Sequence, residues 1–185
     1  MKDPQLTAIA QTIYASELFV GTPENGSLFE KQNIFLVCGG QKPVGFVSSS
    51  HKKDLGDGSY EYEADDTEFV SKFLSGLGLY SNVFADVHTT DATISLKEDY
   101  LKQLKDNPDN HKLAGLLYGY PESAVDAFLA PNKSLLLPDE EQDKLFMVAK
   151  IPITFPNFKM SIAHYNEELQ VVKKWYEFCK LYGMV

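Results

Sequence analysis

Apolar segments along this chain switch between helical and strand-like spacing without settling into the strand–helix–strand rhythm that builds a parallel sheet. Strand-like runs cluster in two groups separated by helices. That arrangement predicts an α+β fold: a mostly antiparallel sheet with helices packed on one face. The longest amphipathic stretch, residues 164–182, places Leu169, Val172, Tyr176 and Cys179 on one stripe, and Trp175, Phe178 and Leu181 widen it. A stripe that broad implies a long C-terminal helix with more than one neighbour. No repeat or linker interrupts the pattern, so residues 1–185 read as a single domain, in keeping with about 150 residues per domain.

The individual elements follow from spacing and punctuation. Leu6, Ile9, Ala10, Ile13 and Leu18 predict a helix over residues 5–19, broken by the Gly- and Pro-containing residues 21–26. The run Asn-Ile-Phe-Leu-Val-Cys at 33–38 and residues 44–47 predict a hairpin turning through Gly39-Gly40-Gln41-Lys42-Pro43. Residues 48–58 read as a mobile polar loop and 59–63 as an edge strand. Asp65, Asp66 and Glu68 open a helix with the stripe Phe69, Val70, Phe73, Leu74 and Leu77. Strands are expected at 82–88 and 92–96, and helices at 98–105, 111–118 and 122–129. A polar loop over 130–143 then leads into a strand at 145–151.

Charge narrows the function classes. The chain carries 26 acidic and 17 basic residues, net −9, and every basic residue is Lys. Without Arg it lacks the fork that grips phosphate or guanine through two parallel hydrogen bonds, and Lys pairs such as Lys52-Lys53 make no basic face. No nucleic-acid partner is expected. Nor is a membrane partner, since no apolar run nears 20 residues. The N-terminus has no signal-peptide pattern, and Cys38 and Cys179 lack CxxC spacing, so both read as core thiols of a cytoplasmic protein.

The most distinctive stretch is residues 116–128, Leu-Leu-Tyr-Gly-Tyr-Pro-Glu-Ser-Ala-Val-Asp-Ala-Phe. Gly119 ends one helix, Pro121 starts the next, and Tyr120 plugs the corner. It resembles a short G-Y-P helix-junction motif of uncharacterised prokaryotic domains in which two adjacent cysteines follow the Pro-x step. Ser123 and Ala124 occupy those positions here, so the resemblance implies no activity and no thiol or metal chemistry at that pair. A DNA-reading helix-turn-helix is rejected, because Glu122 and Asp126 on the second helix would repel phosphate.

Two imidazole–carboxylate groupings stand out. Asp86 and His88 share one face of an expected strand, and His164 precedes Glu167 and Glu168 on an expected helix. Such side chains ligate zinc, manganese or non-haem iron, or act as acid and base. No HExxH and no local three-ligand cluster accompanies them. Cys38, beside Gly39-Gly40, would be a thiol nucleophile with His88 or His164 as base only if exposed, which its apolar run opposes. Tyr118, Tyr120 and Trp175 are the aromatic candidates for a ligand pocket. The leading expectation is a non-catalytic acidic module without cofactor that binds a protein or a small ligand. The alternative is a small hydrolase using His88, Asp86 and His164 as acid/base groups, or His88, His164 and Glu167 around one divalent transition metal.

Overall fold

The apolar run at residues 34–38 is helical rather than extended. In the computed structural model, which describes residues 2–19 and 26–185, it forms the end of helix α2 (Gly26–Cys38). A hairpin at 33–47 is therefore not formed. From Gln32 to Val37 every side chain of α2 is buried, because the helix is enclosed by helix α1 (Pro4–Ala15), strand β1 (Val44–Asp54), strand β4 (Thr90–Ser95) and helix α8 (Tyr165–Leu181). A helix buried all round shows no polar stripe, so its apolar run has the same pattern as a buried strand. The Gly39-Gly40 pair that suggested a hairpin turn instead closes α2. Gly40 takes φ +66°, and the Gln41 and Lys42 amides donate back to the Leu36 carbonyl.

Helix α1 is capped by Asp3, whose carboxylate accepts from the Gln5 and Leu6 amides. It stops at Ala15 rather than Phe19, since Ser16 Oγ accepts the Leu18 amide at 3.1 Å and turns the backbone out of the helix. Leu18 and Phe19 still bury their side chains, and the Phe19 amide donates to Ser49 Oγ. Residues 21–25 of the expected break lie outside the described residues.

The sheet is antiparallel throughout, in the order β2-β1-β4-β3, with β2 at Tyr60–Ala64 and β3 at Tyr80–Ala85. Residues 48–58 do not form the expected loop. β1 runs on to Asp54 and pairs with β2, which lies at an edge as expected. Cross-strand partners give this polar arm its order: Lys53 pairs with Glu61 and Glu63, and Lys52 lies over the Tyr60 and Tyr62 rings. Only the turn at 55–59 remains, with Gly56 and Gly58 at positive φ.

Helix α3 (Thr67–Gly76) is capped by Asp66 and buries Val70 and Leu74, while Phe69 stays exposed. The strand expected at 145–151 is the last part of helix α7 (Asp139–Ala149). Asp139, Glu140 and Glu141 occupy its first turn, where the helix dipole favours acid, and Gln142 and Phe146 face inward one turn apart. Met147 and Val148, 72% and 84% exposed, lie on the outer side, so the apolar run was not a buried strand.

Sheet alternation assigns the two faces. Val47, Ala92 and Ile94 join the main core with α2, α3 and α8, a cluster whose members run from Ala10 to Met184. On the other face, Val44 packs with Leu101 of helix α4 (Glu98–Asp106) and Leu117 of helix α5 (His111–Leu117), which close one end of it. The α+β class, the antiparallel sheet and the long C-terminal helix are as expected.

Gly45 marks a close contact between sheet and helix. A Cβ there would stand 2.9 Å from Val37 Cγ2 and 3.2 Å from Ile94 Cγ1, whereas a Cβ on Gly76 meets nothing within 4 Å. Gly45→Ala should therefore cost about 1–3 kcal/mol by overpacking, seen as a lower urea midpoint. Gly76→Ala, near the end of α3, should be neutral or stabilising by up to about 1 kcal/mol.

Candidate functional site

The G-Y-P corner builds a cavity. Helix α5 ends in Gly119 at φ +80°, and Pro121 is the N-cap of helix α6 (Glu122–Leu129), one position earlier than a first-turn proline. The two helices approach closely because Gly115 has no side chain; a Cβ there would lie 2.7 Å from Val125 Cγ2. Between them opens a cavity of about 350 Å³, lined largely by apolar atoms, with Tyr118, Tyr120, Phe128 and Phe158 as its aromatic walls. His111, at the start of α5, and Lys159 supply the polar part of the lining. Lys159 also pairs with Asp139.

Tyr118 and Tyr120 stack at 6.1 Å between centroids, and Phe158 continues the aromatic series from Tyr120 at 5.4 Å to the edge of Trp175 at 5.9 Å. Two of the three aromatic candidates thus line the cavity. Trp175, 2% exposed, stands behind it. Burial raises both tyrosine pKa values, so the phenols stay protonated; the Thr93 side chain partly offsets this at Tyr118, and Tyr118 adds to it at Tyr120.

Behind Tyr120 lies a charge that the sequence did not advertise. After the α2 terminus the chain doubles back, and Lys42, 5% exposed, sends its Nζ to Asn33 Oδ1 at 2.8 Å. The ammonium sits 5.7 Å from the Tyr120 centroid and 5.2 Å from that of Trp175, within cation–π range of both. Glu30, one turn before Asn33 on α2, is also buried, and its Oε2 has no hydrogen-bond partner among the described residues. Burial pushes Glu30 up to about 7, partly opposed by the Ser48 backbone and by Lys42, with Asp91 adding to the rise. Burial likewise lowers Lys42 to about 8, and Glu30 limits that fall. Lys42 was read as a turn residue because Gly39, Gly40 and Pro43 around it suit a hairpin turn; only the helical reading of 34–38 would have turned it inward.

The histidine candidates occupy different places. β3 ends at Ala85, so Asp86 and His88 belong to the turn between β3 and β4 rather than to a strand face. Asp86 Oδ1 accepts the His88 and Thr89 amides at 2.7 and 2.8 Å, which holds its pKa below the usual range and makes it the turn's organising acceptor. His88 is exposed, with Nδ1 3.3 Å from the Tyr62 carbonyl.

His164 is exposed just ahead of α8, on a separate cleft shared with Ser123, Asp126 and Ser161. Glu167 points to solvent, whereas Glu168 is buried and accepts from Ser123 Oγ, Ser161 Oγ and the Ser161 amide at 2.5–2.7 Å. Three donors on one carboxylate fix α8 to the α6 side of the molecule. Among the described residues no group of three or more His, Cys, Asp and Glu lies together as a metal would need. Cys38 and Cys179 are free, with burial pushing both thiols up to about 12, far from the lowered pKa of a nucleophilic cysteine. No described helix is long and apolar enough to cross a membrane. Comparison with family models, curated proteins and solved structures finds no match for the chain.

The Glu30–Lys42 pair has a pH signature. Glu30 in the folded chain holds its proton from near 4.5 up to about 7, where the unfolded chain has lost it. This contribution to stability is complete below 4.5 and is lost as pH rises through 7; Lys42 acts oppositely, its contribution growing above about 8. Between pH 5 and 7 the Glu30→Gln variant should gain on the parent by on the order of 2 kcal/mol, read from urea midpoints at each pH. A pH-independent difference would show that Glu30 does not titrate in that window.

Proposed function

We propose that this chain is a non-catalytic binding module whose α5–α6 cavity takes a small, mostly apolar ligand with one anionic group. The carrying observation is the cavity itself, about 350 Å³ in volume, with four aromatic side chains around it and His111 and Lys159 as its polar members. That volume lies in the range of small-molecule sites, which pair a largely apolar lining with a few polar groups that fix orientation. Lys159, as a point charge at the lining, suits a carboxylate or sulfonate that takes the place of Asp139 on its ammonium, without demanding the two-pronged geometry that Arg would impose. The aromatic walls suit a planar or branched apolar body.

Preformation also supports the reading. The walls meet through aromatic contacts on both sides of Tyr120, and the gap between helices is set by Gly115 and Val125 rather than by movable side chains. A rigid cavity spares a ligand the cost of ordering its site.

The test uses anilinonaphthalene sulfonate, whose fused rings and sulfonate match this chemistry, titrated by fluorescence and calorimetry. One molecule should bind per chain. Ala114→Phe, which fills the cavity from α5, should weaken binding at least about tenfold, or about 1.4 kcal/mol, with an unchanged melting temperature. Lys159→Gln should weaken it less and remove its salt dependence. Equal binding by the Ala114→Phe variant and the parent would overturn the assignment. A native mass spectrum of the untagged protein then shows whether a cellular compound of this class copurifies.

A further inference from the structure

The two edges of the sheet are finished differently. β2 carries Glu61 and Glu63, engaged by Lys53 across the strands, and charge on an edge deters pairing with another chain. β3, at the other edge, reads Tyr-Ser-Asn-Val-Phe-Ala and alone among the four described strands has no charged residue and no proline. In a chain of net charge −9, this strand is uncharged and the α4 side chains that share a cleft with Tyr80, Ser81 and Asn82 balance, Glu98 and Asp99 against Lys102 and Lys105, so two copies can approach here without net repulsion.

Which backbone groups β3 offers follows from its register. The Asp86 amide donates to the Thr89 carbonyl at 2.9 Å, so 86 and 89 face each other at a hydrogen-bonded position of the ladder. Alternation along the ladder makes Phe84–Asp91, Asn82–Thr93 and Tyr80–Ser95 hydrogen-bonded pairs as well. The amides and carbonyls of Ser81, Val83 and Ala85 therefore point away from β4, toward the edge that no described strand pairs with. Side-chain alternation puts Tyr80, Asn82 and Phe84 on the sheet face opposite the main core, where Tyr80 is 49% and Phe84 53% exposed.

We propose that β3 is a self-association edge, pairing antiparallel with β3 of a second copy of this chain about a two-fold axis at Asn82. With Asn82 opposite its own copy, Ser81 and Val83 of each chain form the hydrogen-bonded pairs, as their outward groups require. Each Tyr80 then stands opposite the other copy's Phe84, on one face, twice by symmetry. These are non-hydrogen-bonded positions, where side chains come closest, and aromatic pairs there favour the register. The contact is isologous, so it closes at two copies and joins the two sheets into one of eight strands. A single strand pair buries less than about 1,000 Å², which sets the association in the weak, concentration-dependent class.

Sedimentation velocity across about 1–300 µM should show a monomer–dimer equilibrium with Kd on the order of 10–100 µM. Asn82→Lys leaves an exposed position exposed in the monomer but sets two ammonium groups opposite each other at the axis. It should weaken dimerisation at least about tenfold, although it lowers the net charge that repels the copies. Phe84→Ser, also at an exposed position, should weaken it too, and matching circular dichroism melts would show that both variants fold.

Register is read by crosslinking. Cα atoms of a non-hydrogen-bonded pair lie about 4.5 Å apart, within disulfide reach. Asn82→Cys should give a covalent dimer under mild oxidation, and Tyr80→Cys, four residues out of register with its copy, should not. The native Cys38 and Cys179 are part-buried and buried. A chain that stays monomeric to 300 µM, or a dimer indifferent to Asn82→Lys, would overturn the proposal.

Discussion

Enclosure of the second half of α2 is the constraint on which the rest of the molecule depends. The helix lies against α1, two strands of the sheet and α8, and its side chains from Gln32 to Val37 are all buried. Enclosure on that scale means that its polar members must find partners within the fold or give up their charge. Gln32 donates to the Met184 carbonyl at 2.8 Å, which ties the C-terminal end of the chain to the central helix. Asn33 accepts from Lys42, and Glu30 keeps its proton to about 7 instead of facing the core as a charge. The helix therefore organises the protein through its polar side chains as much as through its apolar ones.

From that helix the geometry of the candidate cavity follows. Gly40 reverses the chain, Pro43 leads it into β1, and Lys42 is trapped between, with Trp175 and Tyr120 packed over its ammonium. Gly119 can approach because it has no Cβ; one placed there would meet Pro43 Cδ at 3.2 Å. The loop after α2 and the corner between α5 and α6 are thus fitted to each other, although Pro43 and Gly119 lie 76 positions apart in sequence. Neither segment alone contains the information that joins them.

Legibility in the sequence tracks this division between local and distant causes. Caps and breakers act within a few residues, so Asp66, Gly119 and Pro121 marked their helices and the α4, α5 and α6 boundaries were found almost to the residue. Tyr118 and Tyr120 were legible for the same reason, since a helix corner has to be filled by what sits at it. Tertiary enclosure is not local, and it defeated the reading of residues 33–38. The second half of β1 was missed because its order comes from partners on β2, with Lys53, Lys52 and His51 each engaged across the strand pair. Asp86 and His88 were placed on a strand face because nothing in the alternation announces where a strand yields to a turn held by its own aspartate.

Tyr120 is where the two halves of the argument meet. Its ring forms part of the cavity lining and also packs over the Lys42 ammonium. An ammonium held over an aromatic face polarises and immobilises the ring, worth about 0.5–2 kcal/mol, and Asn33 and Trp175 hold the ammonium in turn. The cavity wall is therefore braced from within by a charge that could have been solvated at the surface. Burying a lysine in this way costs stability, as its lowered pKa records, and the cost is met at the place where the fold needs an aromatic wall to keep one position. A wall fixed from behind keeps its shape whether or not the cavity is filled, which is the property that a preorganised site requires.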